Sequence, residues 1–369
     1  MDDRVREHAE VLVDWSARVD PGDDVVVGVA EGAHELAVAV AEKLGTVSAD
    51  VVMTYDSAEA SRAYLRGHDG DFGTGDHELA LYERADVVLR LGGGRNTTAL
   101  ADVEADTRQG YSRARTDLRE ARMATDWVST VHPTRSLAQQ AGMALAEYRE
   151  FVYDAVLRDW EALAGKMARM KTILDEGSEV RLVTERDGRP DTDVAMSIDG
   201  RAAVNSAASV AYDSHNLPSG EVFTAPYDAE GEVFFDVPMI INSTRVRGVH
   251  LRFAGGEVVD YDAERGEDEI ASVLDTDAGA RRLGELGIGM NRGIDRVTDN
   301  ILFDEKMGDT VHMALGRAYD ANLPDGESGN DSAVHVDMIT DVSADSRLEV
   351  DGETVQRDGR FRFEERFEG

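Results

Sequence analysis

The 369-residue chain contains no cysteine. That excludes disulfides and every thiolate metal site, so any metal must take oxygen and imidazole donors. Proline is scarce, 7 residues against 35 glycines, which excludes collagen-like and proline-rich extended architectures. Lysine is nearly missing: Lys43, Lys166, Lys171 and Lys306 are the only four, and arginine supplies the rest of the 39 basic residues. No apolar run reaches the 18 or so residues a membrane span needs, and the opening MDDRVREHAEVLVDWSARV is charged from its second residue. Neither a membrane helix nor a secretory leader is expected, and a cytoplasmic location is the default.

What the chain has in excess is acid. Seventy-four acidic residues face 39 basic ones, a formal net charge of -35. Such a surface repels nucleic acid, which is excluded as a partner. The acids are spread along amphipathic segments instead of forming blocks, so they describe a solvated surface over a folded core. With so little lysine, the balance points to adaptation to high salt, where screening suppresses the self-repulsion of the carboxylates.

The length exceeds what one hydrophobic core commonly serves, and two domains are expected. Residues 4–19 read as an amphipathic helix. PGDDVVVGVA, ADVVMTYD, ADVVLRLGGG and DWVSTVHP then read as strands, alternating with the helical HELAVAVAEKLGTV, SRAYLRG and TRQGYSRARTDLREARMA. Strand and helix in alternation imply a parallel sheet covered on both faces. Residues 133–176 carry only helical patterning and read as a connector. From 177 onward short alternating strands dominate, with a helix expected near DTDAGARRLGELGI. The fold class is therefore an α/β domain with a parallel sheet over 1–132, a helical connector over 133–176, and a mainly β (α+β) domain over 177–369 that carries the chemistry.

Four segments of that last part concentrate acids and histidines. In SAVHVDMI (332–339) a strand puts His335 and Asp337 on one face and Val334, Val336 and Met338 on the other. A metal pair is one use of H-x-D; a histidine hydrogen-bonded to its neighbouring carboxylate on a wet sheet face is another. In DTVHMALGRAYD alternation points His312 away from Val311, Met313 and Leu315. In NLPSGEVFTAP a Pro-Ser-Gly turn leads into a strand with Glu221 at its mouth. In DTDAGARRLGELGIG, Glu285 is read at the end of a helix, with Leu283 and Leu286 beside it.

Together PSGEVFTAP, RRLGE, NILFDEKMGDTVHMALG and SAVHVDMI resemble the thermophilic metalloprotease family of aminopeptidases, to which aminopeptidase T and aminopeptidase S belong. Weaker similarity extends through VHPTRSLAQQAGMALAEY and the α/β start. The resemblance implies hydrolysis of N-terminal residues from peptides with a free amino end, by a homodimer. It implies Glu221, Glu285, His312, His335 and Asp337 as ligands of two divalent ions, with Glu305 a further candidate ligand and Tyr319 a phenol near the metals. Oxygen and imidazole donors suit Zn, Co or Mn. Glu285 is the preferred bridging ligand, and either it or Glu221 can carry a proton from water to the leaving amine.

Two rival readings stand beside this one. A nicotinamide-dependent oxidoreductase would place its cofactor at LRLGGGRN, although Gly92, Gly93 and Gly94 do not form G-x-G-x-x-G and fit a tight turn. A non-catalytic metal-binding scaffold protein would keep the ligands without the reaction. His34, His68, His77, His132, His215 and His250 lack partners at ligand spacing and read as structural or surface residues, with His215 near enough to Glu221 in sequence to line a pocket.

Overall fold

In the computed structural model, which describes residues 2–185, 187–242, 244–324 and 326–367, the chain forms two compact units. The first runs to Arg158 and takes back Ala208–Pro218; the second holds Asp159–Ala207 and the chain from Ser219 onward. The stretch 133–176 is thus divided between them, helices Arg135–Gln140 and Leu145–Val156 in the first unit and Trp160–Glu176 in the second. The last helix starts afresh at Asp159, whose carboxylate accepts from the Ala162 amide at 3.0 Å and satisfies a donor the helix cannot.

The first unit is built on a parallel sheet in the order Asp50–Asp56, Asp24–Ala30, Val87–Gly92, Asp126–Val131 and the short Asn216–Leu217. Valine and leucine runs such as Val25 to Val27 and Val87 to Leu89 are buried, as strands covered by crossover helices must be. Strand Asp50–Asp56 departs from this pattern: it lies at the edge, and Val52 and Tyr55 stay exposed. Helix Asp3–Glu10 is capped by Asp2 and widens into a π-helix over Val11–Ser16, ending the segment expected as one helix. The glycine run after Val87–Gly92 lets two turns meet. A Cβ on Gly32 would lie 2.1 Å from the Gly93 carbonyl oxygen, and Gly93 itself has φ +133°.

In the second unit two antiparallel sheets are formed. The larger runs Met239–Ile241, Thr244–Ala254, Tyr227–Phe235, Thr192–Ser197, Glu179–Thr184, Ser346–Val350, Glu353–Arg357 and Arg360–Phe361, with Glu257–Arg265 paired to Thr244–Ala254. The smaller runs His335–Asp341, Thr310–Gly316, Leu283–Gly289, Glu221–Thr224 and Val204–Ser206. One face of this smaller sheet is apolar: Val222, Leu286, Ile288, Val311, Met313 and Met338 are fully buried. At about 1.5–3 kcal/mol for each such side chain, this face fixes the register. Helix Trp160–Glu176 packs on its Val204–Ser206 and Glu221–Thr224 strands.

The helix expected near DTDAGARRLGELGI is not there. A single 3-10 turn occupies Gly279–Arg281, strand Leu283–Gly289 follows at once, and the helix of this region lies earlier, at Glu267–Leu274. Glu285 therefore stands on a central strand and not at a helix end. Gly284, Gly287 and Gly289 explain the difference, because each costs about 1 kcal/mol in a helix interior, whereas here each lets a neighbouring backbone or ring approach.

Candidate metal centre

Antiparallel partners share a sheet face, as do residues two apart on one strand. The registers pair Glu221 with Gly289, Gly287 with His312, Glu285 with Ala314, Ala314 with Asp337, and Gly316 with His335. Glu221, Glu285, His312, His335 and Asp337 consequently occupy one face, opposite the apolar one. Four separate strands converge there from sequence positions 116 apart at the extremes, Glu221 and Asp337.

The side chains meet in two groups of three that share one member. Glu221, Glu285 and His312 form the first; Glu285, His335 and Asp337 form the second; within each, one donor atom per residue lies within 4.8 Å of the others. His312 Nε2 is 3.0 Å from Glu285 Oε1 and 3.7 Å from Glu221 Oε2. His335 Nε2 is 3.5 Å from Glu285 Oε2 and 3.3 Å from Asp337 Oδ1. Glu285 thus turns one oxygen to each histidine. The outer nitrogen of His335, Nδ1, lies 2.9 Å from the Arg317 carbonyl oxygen; donating there fixes the ring with Nε2 toward the carboxylates.

Burial and charge act strongly on these groups. Glu221, Glu285 and His312 are buried. Desolvation raises the Glu285 pKa, with His312 working against it through its hydrogen bond. Burial opposes the charge of His312, but the Glu285 hydrogen bond and the nearby carboxylates win and raise it. For His335 burial is likewise overcome, by the adjoining Asp337 carboxylate and then by the charge of Glu285, and its pKa rises to about 9. Burial also works against ionised Asp337, yet His335 holds it below the usual carboxylate range.

The donor set fits divalent cations. Glu221 Oε2 and Asp337 Oδ1 are buried atoms that no hydrogen bond reaches among the described residues, a costly condition for carboxylate oxygens unless a cation is their partner. Three carboxylates and two imidazoles without a thiolate are a donor set able to hold such a cation.

Of the sequence-predicted residues the structure brings five together. Glu305 joins neither group; it follows helix Ile301–Asp304 and its carboxylate pairs with the neighbouring Lys306 ammonium. Tyr319 stands beside His335, ring centroids 4.9 Å apart, and 6.1 Å from the ring of Phe223. Desolvation, then the charges of Glu285, Asp337 and Glu221, raises its pKa, so the phenol keeps its proton. His215 is used in the first unit: its ring stacks on Trp127, Nδ1 meets the Trp127 carbonyl oxygen at 2.9 Å and Nε2 meets Asp213 at 3.1 Å.

Sequence reasoning passed over Lys306 and Gly287. Lys306 is fully buried with Nζ 3.4 Å from Glu221 Oε1; its rarity in a chain with four lysines was the available signal. Gly287 lies opposite His312, and only the register reveals that.

Comparison with known proteins follows the same lines. A family model described as "Thermophilic metalloprotease (M29)" matches residues 1–361. "Aminopeptidase 2" of Geobacillus stearothermophilus is 34% identical over 227 residues, 56% of this chain and 52% of that protein. "Aminopeptidase T" of Thermus aquaticus is 40% identical over 163 residues, 40% of each chain. The matched regions span about half or less of these curated relatives. Among solved structures, "Wild-type AmpT from Thermus thermophilus" superposes with a TM-score of 0.84 at 25% identity, covering 98% of this chain and 99% of that one. The parallel-sheet domain followed by antiparallel sheets agrees with that likeness.

Proposed function

Because the chain belongs to the thermophilic metalloprotease (M29) family, as its four segments suggested, we propose that it is a metal-dependent aminopeptidase working with a pair of divalent ions. One ion is assigned to Glu221, Glu285 and His312, the other to Glu285, His335 and Asp337. The carrying observation is Glu285, whose Oε1 faces His312 at 3.0 Å while Oε2 faces His335 at 3.5 Å. A carboxylate shared by two ligand groups suits a dinuclear centre, because it can hold two ions close together.

Two such ions, Zn, Co or Mn by donor chemistry, supply Lewis-acid polarisation of the scissile carbonyl and an anchor for the free amino end of the peptide. The protein's own groups do the rest. Either Glu221 or Glu285 would carry a proton from water to the leaving amine. Tyr319 keeps its proton and stands next to His335, where its hydroxyl can donate to the oxygen that gains charge in the tetrahedral intermediate.

The test is chelation and reloading. Protein stripped of metal and reloaded with Co, Zn or Mn in high salt should cleave aminoacyl p-nitroanilides and leave their N-acetylated counterparts intact. Cleavage that survives chelation contradicts the proposal. Two ions bound per chain with no cleavage of any substrate in the panel would favour the scaffold reading instead.

A further inference from the structure

Lys306 is the least expected residue of the second unit. A fully buried ammonium is costly unless paired, and this chain uses lysine only four times. Its partners are two carboxylates, Glu305 and Glu221, the latter through Oε1 at 3.4 Å. Glu221 is left with Oε2 turned to His312 at 3.7 Å and reached by no hydrogen bond.

The backbone ties the lysine to the glutamate through one residue. Asn291 donates its amide to the Lys306 carbonyl oxygen at 3.2 Å and its side-chain amide to the Ser219 carbonyl oxygen at 2.9 Å. Met290 donates to the Gly220 carbonyl oxygen at 2.8 Å. Gly220, with φ +118°, lies so close that an added Cβ would sit 2.8 Å from Asn291 Cβ. The Pro-Ser-Gly turn before Glu221 and the backbone at Lys306 are thereby clamped to one residue, Asn291.

We propose that Lys306 is a positioning residue of the metal centre: its ammonium engages Oε1 of Glu221, so that this glutamate offers the cation a single oxygen, Oε2. A carboxylate with both oxygens free can chelate or bridge; one oxygen held by an ammonium restricts it to one bond and aims that bond beside His312. Lys306 is sealed from solvent, which excludes contact with substrate and separates this role from a catalytic one. Glu305 completes the arrangement by sharing the ammonium's charge, so that Glu221 is not wholly neutralised. The inference rests on the dinuclear reading above.

The experiment is Co2+ titration of the metal-stripped full chain in high salt, followed by visible absorption and by metal analysis after dialysis. Wild type should bind two ions. Lys306→Met, folded by circular dichroism, should lose about 10- to 100-fold in affinity at one ion, the scale for outer-shell ligand partners, and its cobalt bands should shift. Lys306→Arg should recover most of that affinity. Glu305→Gln, which keeps the lysine, should weaken one ion severalfold and shift the bands, because the ammonium then bears on Glu221 alone; it carries the test if Lys306→Met does not fold. Wild-type affinity and spectrum in folded Lys306→Met, or in Glu305→Gln, overturn the proposal, as does an arginine variant no better than the methionine one. Wild type that binds no cobalt removes the dinuclear reading itself, and this inference with it.

Discussion

A Cβ placed on Gly287 would lie 2.0 Å from Nε2 of His312, across the strand pair that joins them. The imidazole fills the space where every other amino acid carries a side chain. Gly287 is not in the left-handed region, so the requirement is steric. Gly287→Ala should turn His312 away from Glu285 and Glu221, with one of the two ions and nearly all activity lost. The fold should lose about 1–3 kcal/mol, the usual cost of overpacking. Metal analysis and a thermal melt check this; a variant with two tightly bound ions would show the ring position to be dispensable.

Metal binding should release protons. In the metal-free protein His335 titrates near pH 9, because Asp337 and Glu285 outweigh the effect of burial, so at pH 7 its ring is charged. A ligand nitrogen must be neutral. Adding Zn2+ at pH 7 in weak buffer should therefore acidify the solution, and apparent affinity should rise with pH up to about 9. A pH-independent affinity between 6 and 9 would exclude His335 as a ligand.

The first unit carries its own pH dependence. His8 is fully buried, with Nε2 2.7 Å from Thr130 Oγ1, and burial followed by the proximity of His132 lowers its pKa to about 3. Unfolded, it titrates near 6.5. Between those values the unfolded chain binds a proton that the folded chain refuses. Stability from this group is thus complete above about pH 6.5 and falls as pH drops toward 3, at roughly 1.4 kcal/mol per pH unit within the window. His8→Gln should flatten the loss of melting temperature between pH 6.5 and 4.5, whatever its own stability. An unchanged slope would remove His8 as a cause.

Salt should stabilise the protein. With a net charge of -35, self-repulsion is large at low ionic strength, and the screening length falls from about 10 Å at 0.1 M to about 3 Å at 1 M. The melting temperature should climb between 0.1 and 2 M KCl. A flat or falling curve would show the acidic surface to be compensated in some other way.

Much of this was legible in the sequence, for identifiable reasons. Period-two alternation in SAVHVDMI placed His335 with Asp337, and the apolar runs around Val25 and Val87 marked buried parallel strands. The matched segments brought Glu221, Glu285 and His312 into the same set. Glu285 was misassigned to a helix end because Leu283 and Leu286 stand at helical spacing, while the glycines that favour the strand act through contacts with Arg317, His312 and Met307. Neither the burial of Lys306 nor the pairing of Gly287 is legible, since both exist only once distant strands meet; the scarcity of lysine is the one hint of the former. The division of residues 133–176 between two units likewise depends on contacts that local patterning does not carry.

The most direct measurement is anomalous diffraction from crystals of the protein loaded with Zn or Co. Two peaks are expected on the face shared by the five proposed ligands, one beside Glu221 and His312, the other beside His335 and Asp337, with one carboxylate oxygen of Glu285 bonded to each. A single peak would contradict the dinuclear centre, and a pair that leaves Glu285 unshared would contradict its bridging role.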